Sequence, residues 1–299
     1  ILFGEDVREL LDRVLVQLPG EDLFNFSPDI RGERQIADLD VDPTGRDYLI
    51  EQYRNRALLP LPDGRFAAQW TFRDCDRYAE LPDHEKELFE QIVAAKGHAN
   101  ELLWQEHGAR LLEFMKDTTE MLACAEDLGV IPEAVPRTLA ALRILGLRIP
   151  RWTRKWDVPS QPFVPLQSYP ENTVCAPSVH DTSTLRAWWE SEDGREAFWE
   201  VLGQDEPCPE TFTADVARTV YRALASVNSR ILVFQVQDFL PFSPDLLMED
   251  PEQERINVPG SYNTFNLTYR FPIPVEELPE QSEVTQEIRA IAAARRSEQ

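Results

Sequence analysis

The sequence predicts an α/β protein with parallel strands, equal to about half of an eight-stranded βα barrel and preceded by a mostly helical, irregular region. Three observations carry this. From Met121 onward, short apolar runs alternate with helical patterns, and strands joined by helical crossovers run parallel. The alternating stretch holds four strands, whereas a full barrel takes roughly 250 residues. An open doubly wound sheet would carry a glycine-rich phosphate loop after its first strand, and no such loop occurs.

The elements follow in order. Residues 1–100 are expected to form the irregular subdomain and 101–299 the barrel portion. Residues 6–18 have a helical pattern, and turn signals recur at Leu18-Pro-Gly, Asp42-Pro-Thr-Gly and Leu61-Pro-Asp-Gly. Phe66, Trp70 and Phe72 lie in a strand or irregular segment. Residues 83–119 have helical spacing, and Gly97 and Gly108 are expected to interrupt it. Residues 121–125 form the first barrel strand and end in Glu126-Asp127-Leu128-Gly129. A helix over 132–145 is expected to stop at Gly146, with a second strand at 147–149. A proline-rich loop covers 150–170. The third strand, 173–179, ends in His180-Asp181. Helices follow at 184–191, 195–202 and 214–227, then a fourth strand at 231–236 and a loop rich in proline.

Composition narrows the function classes. Of 299 residues, 42% are hydrophobic and 28% charged, as in a soluble globular protein; 30 basic against 53 acidic residues leave a net charge of −23. Such a surface repels phosphate backbones and anionic membranes, so nucleic acid and membrane are not expected partners. A neutral sugar is compatible with it. The cysteines Cys75, Cys124, Cys175 and Cys208 are widely spaced with no C-x-x-C pair. Neither a metal site nor a disulfide framework is expected, no cofactor is implied, and a reducing, cytoplasmic setting fits. Cys124 and Cys175 sit in apolar runs, where a thiol packs as a small hydrophobe.

Catalytic groups of a βα barrel cluster at the C-terminal ends of its strands. Two of the four strands end in carboxylates: Glu126 and Asp127 after the first, Asp181 after the third. An Asp at such a junction also serves as a helix or turn cap. Paired carboxylates suit glycosidic chemistry, with one held protonated to donate to the leaving oxygen and another ionised at the sugar centre. His180 can hydrogen-bond sugar hydroxyls. Arg186, Trp188 and Trp189 follow within two helical turns. The tryptophans offer faces for pyranose rings or pack against the sheet.

Three longer motifs share a resemblance. Ala-Glu126-Asp-Leu-Gly-Val-Ile-Pro132 resembles the acid/base segment of glycoside hydrolase family 77, the 4-α-glucanotransferases. Ala-Pro-Ser-Val-His180-Asp181-Thr-Ser-Thr-Leu-Arg186-Ala-Trp-Trp189 is similar to its His-Asp motif. Glu254-Arg-Ile-Asn257-Val-Pro-Gly260, with the Leu-Thr-Tyr-Arg270 that follows, is similar to its closing loop. The match covers about residues 100–275. The resemblance implies Glu126 as general acid/base and Asp181 as transition-state stabiliser. It implies His180, Asp127, Arg186, Trp189 and Asn257 as substrate contacts, with malto-oligosaccharides, maltose and glycogen-like or starch-like glucan as substrates. The preceding region resembles the insertion of the family's plant cytosolic members and their bacterial relatives. The family nucleophile is an Asp in an Arg-x-Asp-His segment, and none occurs here. The chain is therefore expected to hold strands five to eight, to need the N-terminal half of the barrel, and to be inactive alone. The competing expectation is a non-catalytic carbohydrate-binding or interaction protein built on the same fold.

Overall fold

The computed structural model describes residues 13–20 and 24–297. It divides into two compact units, Ile1–Asn100 and Glu101–Gln299. Most of the helix expected over 6–18 lies outside the described residues, and its end is instead a strand, β1 (Leu15–Gln17).

In the first unit, β1 pairs antiparallel with β2 (Phe24–Phe26). Helices Glu33–Ala37 and Pro43–Arg54 follow. The second begins where proline belongs, at its first position, and its Asp42 cap accepts from the Gly45 amide at 2.9 Å. Ile36, Leu49 and Tyr53 form a small core beside Phe26. A second hairpin joins β3 (Leu58–Pro60) to β4 (Phe66–Ala68), so the aromatic segment at Phe66 is a strand and Phe72 opens a short 3-10 turn. Phe72, Cys75 and Tyr78 form another small core with Phe89. Two hairpins share this unit with its helices.

The helix Asp83–Asp117 runs unbroken through Gly97 and Gly108. A glycine costs a helix interior only about 1 kcal/mol, so two in 35 residues weaken the helix without interrupting it. Leu88, Ile92, Leu103, Leu111, Phe114 and Met115 are exposed along it. No helix among the described residues is long and apolar enough to cross a membrane.

The second unit holds one parallel sheet. Its strands are β5 (Cys124–Ala125), β6 (Leu145–Arg148), β7 (Thr173–Cys175) and β8 (Ile231–Leu232), hydrogen-bonded in that order. Consecutive parallel neighbours, with α-helices in the β5–β6 and β7–β8 crossovers and only two 3-10 turns between β6 and β7, fit a partial βα barrel, whereas a doubly wound sheet reverses its order at a switch point. The core lies between the sheet and helices Leu185–Ser191, Arg195–Val201, Ala214–Ala225 and Ser282–Ser297. Trp189, Tyr221 and Leu224 are at its centre. Cys175 is buried there as expected of a small hydrophobe, whereas Cys124 is exposed at the start of β5. β5, β7 and β8 are shorter than their apolar runs, while β6 begins two residues before its expected start and is one residue longer. Past Cys175 the chain meets Pro177, which cannot donate to a ladder, and past Leu232 it winds into the 3-10 helix Val236–Phe242.

Gly146 lies within β6, and the helix Ala134–Leu142 is ended instead by Arg143 in the left-handed region (φ 56°). The requirement for glycine here is one of space. A Cβ at position 146 would sit 2.7 Å from Asp127 Oδ2 and 3.1 Å from Oδ1. Gly146→Ala is therefore expected to displace the Asp127 carboxylate and lower stability by about 1–3 kcal/mol. Urea unfolding measures this, and an unchanged midpoint would contradict the close approach.

Candidate active site

All four strands run in one direction, so their C-terminal ends open on one edge of the sheet, and the acidic residues expected at strand ends lie there. Glu126 follows β5 directly and is exposed. Its neighbour Asp127 turns the other way, as successive side chains of an extended chain must. The Asp127 carboxylate accepts from the Leu147 amide at 2.6 Å and from Arg148 Nη1 at 3.0 Å, and its side chain is 5% exposed. These bonds tie Asp127 to β6 and occupy both of its oxygens. Asp127, expected to contact substrate, here fixes the β5 end from which Glu126 projects.

At the end of β7, Thr182 closes a turn on Val179, with the Thr182 amide donating to the Val179 carbonyl and the Val179 amide to Thr182 Oγ1, both at 3.0 Å. The turn exposes His180 and leaves Asp181 half-buried, with His180 Nε2 at 3.6 Å from Asp181 Oδ2. The segment after β8 reaches back to this turn. Asn257 Nδ2 donates to Asp181 Oδ1 at 2.5 Å, and the Asn257 amide donates to the His180 carbonyl at 3.1 Å. Arg255 Nη2 adds a bond to the Asp181 carbonyl at 3.4 Å. His180, Asp181 and Asn257, about 75 residues apart in sequence as two segments, thus form one cluster. One Asp181 oxygen is held by Asn257 and the other faces His180. β6 alone separates β5 from β7, so the strands that lead to Glu126 and Asp181 run about 10 Å apart, two strand spacings.

Two other expected contacts are elsewhere. Arg186 Nη1 donates to Glu254 Oε1 at 2.6 Å and to the Met248 carbonyl at 3.2 Å. Glu254 is fully buried, and burial raises its carboxyl pKa while Arg186 draws it back down. Arg186 is thus spent on a buried ion pair that anchors the segment leading to Asn257. Trp189 has no exposed surface; its Nε1 donates to the Pro209 carbonyl at 2.8 Å and its ring meets Trp199 and Phe212 at 5.7 and 5.4 Å. It offers no face to a sugar, and Trp188 is buried as well.

The sequence reading gave no role to the groups that shape the turn. Asp238, just beyond β8, is fully buried and accepts from Ser178 Oγ at 2.9 and 2.7 Å. Arg151, 4% exposed, approaches from the end of β6 and donates to Ser183 Oγ at 2.6 Å. The available signal was position: both are charged residues a few places past a parallel strand.

The arrangement offers an exposed carboxyl able to exchange a proton with a ligand, and a fixed carboxylate flanked by an imidazole and an amide. A family model described as 4-alpha-glucanotransferase, glycoside hydrolase family 77, matches residues 65–275, a range that contains Glu126, His180, Asp181 and Asn257. The 4-alpha-glucanotransferase DPE2 of Oryza sativa subsp. japonica is 29% identical over 265 residues, covering 86% of this chain and 27% of that protein. The 4-alpha-glucanotransferase of Chlamydia trachomatis serovar D is 32% identical over 185 residues, 62% of this chain and 34% of the relative. Among solved structures, an amylomaltase from Streptococcus agalactiae in complex with acarbose aligns with a TM-score of 0.43 at 22% identity, over 59% of this chain and 33% of that one. The chain spans about a third or less of the length of these proteins.

Proposed function

The chain belongs to the 4-alpha-glucanotransferase family, glycoside hydrolase family 77, and from that membership we propose that it supplies the acid/base side of a retaining transglycosylase acting on α-1,4-glucans. In this reading residues 101–299 are strands five to eight of a (β/α)8 barrel, and residues 1–100 are an inserted subdomain. We place the nucleophile in a part of the protein outside this sequence, because no Arg-x-Asp-His segment occurs here. We place the protein in the cytoplasm, which its four free cysteines support.

The reaction runs in two displacements. The nucleophilic carboxylate attacks the anomeric carbon as the glycosidic C–O bond breaks, and Glu126 gives its proton to the departing oxygen. A sugar hydroxyl then attacks the same carbon, Glu126 takes back a proton, and the bond to the nucleophile breaks. A retaining pair places its carboxyls about 5–5.5 Å apart, so the nucleophile belongs close to Glu126. The Asp181 carboxylate steadies the oxocarbenium-like centre while its oxygens grip sugar hydroxyls. His180 and Asn257 complete the sugar contacts.

The observation that carries this reading is the pair of bonds from Asn257 to the His180 carbonyl and the Asp181 carboxylate. It joins two of the three family-like motifs at the sheet edge where Glu126 is exposed. The test is incubation of the complete protein with maltotriose. Glucose together with oligosaccharides longer than maltotriose is the expected result. Glucose and maltose alone would mean hydrolysis, and binding without turnover would favour a non-catalytic carbohydrate-binding protein.

A further inference from the structure

The turn that carries His180 and Asp181 is gripped from two sides by buried groups of opposite charge. From the β8 side comes Asp238. Its Oδ1 accepts from Ser178 Oγ at 2.9 Å and from the Leu185 amide at 3.2 Å. Its Oδ2 accepts from Ser178 Oγ at 2.7 Å and from the Gln235 amide at 3.2 Å. From the β6 side comes Arg151, which donates to Ser183 Oγ at 2.6 Å and to the carbonyls of Thr184 at 3.3 Å and Pro177 at 3.5 Å. The gripped residues are Pro177 and Ser178 before Asp181, and Ser183, Thr184 and Leu185 after it. Asp181 is at the crown, three residues from Ser178 and three from Thr184.

Holding two ions out of water is costly. Burial lowers the Arg151 pKa to about 10 and raises that of Asp238, and each is partly offset by the other's charge. A well-packed apolar pair is often as stable as a buried ionic one or more so, so stability alone gives little reason for these charges. They do supply directional bonds to both legs of one turn.

We propose that Arg151 and Asp238 are positioning residues that hold Asp181 in its reactive place through the legs of this turn. The proposal rests on the transferase reading for the consequence to catalysis, though not for the geometry of the clamp. It singles out Asp238 because only donors face its carboxylate. Ser178 Oγ accepts from Gln235 Nε2 at 2.9 Å and so turns its own hydrogen to Asp238. In Asp238→Asn, either orientation of the amide sets an NH2 against a backbone N–H of Leu185 or Gln235. A substitution of nearly equal shape therefore releases one leg of the turn.

The experiment uses the complete protein carrying Asp238→Asn, with Ser178→Ala and Ser183→Ala as milder variants that leave both buried ions in place. Rates are normalised to folded enzyme. For Asp238→Asn, kcat is expected to fall at least about tenfold with KM within about twofold; for each serine variant the fall is about threefold or more. In a double-mutant cycle, Asp238→Asn is expected to cost less than about twofold once Asp181 is already Asn, since residues acting as a unit are not additive. Amide hydrogen exchange provides a readout that needs no activity. The amides of Val179, Thr182 and Leu185 are expected to exchange at least about tenfold faster in Asp238→Asn, with those of β6 and β7 unchanged. Unchanged exchange at the turn overturns the clamp. Wild-type kcat in all three variants, or full additivity in the cycle, overturns its catalytic role. If the unsubstituted protein transfers no glucan, the transferase reading fails, and the exchange measurement still decides the clamp.

Discussion

Glu126→Gln in the complete protein is expected to reduce glucan transfer by about 10²–10⁴-fold, the usual range for loss of a positioned acid/base. The substitution keeps the side chain's size and removes only its transferable proton. Asp127 lies beneath it, bonded to Leu147 and Arg148, so the β5 end should hold its shape. The exposed position at a strand end also separates the loss from misfolding, since surface changes seldom move stability by more than about 0.5 kcal/mol. The leaving group provides a sharper check. A glycosyl fluoride needs no proton to depart, so formation of the glycosyl-enzyme from it should be nearly normal, while transfer to a sugar hydroxyl, which needs the base, should remain slow. Near-normal transfer from maltotriose in Glu126→Gln would remove Glu126 from the mechanism.

The parts of this fold that could be read from sequence are those where one local rule acts. Parallel strands announced themselves by alternating with amphipathic helices, and the helices Leu185–Ser191, Arg195–Val201 and Ala214–Ala225 begin within a residue of their predicted starts. Thr184 and Thr213 cap the first and last of them with side-chain bonds to the Ala187 and Val216 amides. The lengths of β5, β7 and β8 were overread because an apolar run records burial, and residues such as Val179 and Phe234 are half-buried without being paired. The helix Ser282–Ser297 went unnoticed. It buries Val284 and Ile291 and is held by Arg218 to Glu287 at 2.5 Å and by Arg295 to the carbonyls of Ala225, Val227 and Ser229, contacts that no periodicity predicts.

The site was legible in the same uneven way. His180 and Asp181 were singled out in one motif and Asn257 in another, and the structure brings them together. Asp127, Arg186 and Trp189 were named for chemistry that their type allows, and the structure shows each engaged by a neighbour remote in sequence. Asp127 meets Leu147, Arg186 meets Glu254, and Trp189 meets Pro209. Residue type gives what a side chain can do; whether it is free to do it depends on a partner that only the fold supplies. Arg151 and Asp238 show the converse, since their places past parallel strands mark them only as strand-end charges and the fold alone aims both at one turn.

Asp181→Asn is expected to depress kcat by about 10²–10³-fold, the scale of losing one electrostatic contact aimed at the transition state, with KM changed by only a few-fold. The geometry allows this change to be read cleanly. Asn257 Nδ2 donates to Asp181 Oδ1, and the carbonyl oxygen of an asparagine can accept the same bond, so the link between the two segments is retained. The backbone bonds from Asn257 to His180 and from Arg255 to the Asp181 carbonyl do not involve the side chain at all. What is lost is the negative charge and one acceptor at the oxygen that faces His180. A ground-state sugar is neutral and loses a hydrogen bond, worth about 0.5–1.5 kcal/mol net. The oxocarbenium-like transition state carries positive charge and loses an ionic contact in addition. The cost must therefore fall mainly on turnover. Steady-state kinetics with maltotriose separates the outcomes: a rise in KM with kcat preserved would make Asp181 an ordinary sugar-binding residue, and the charge at the end of β7 would have no part in the bond-breaking step.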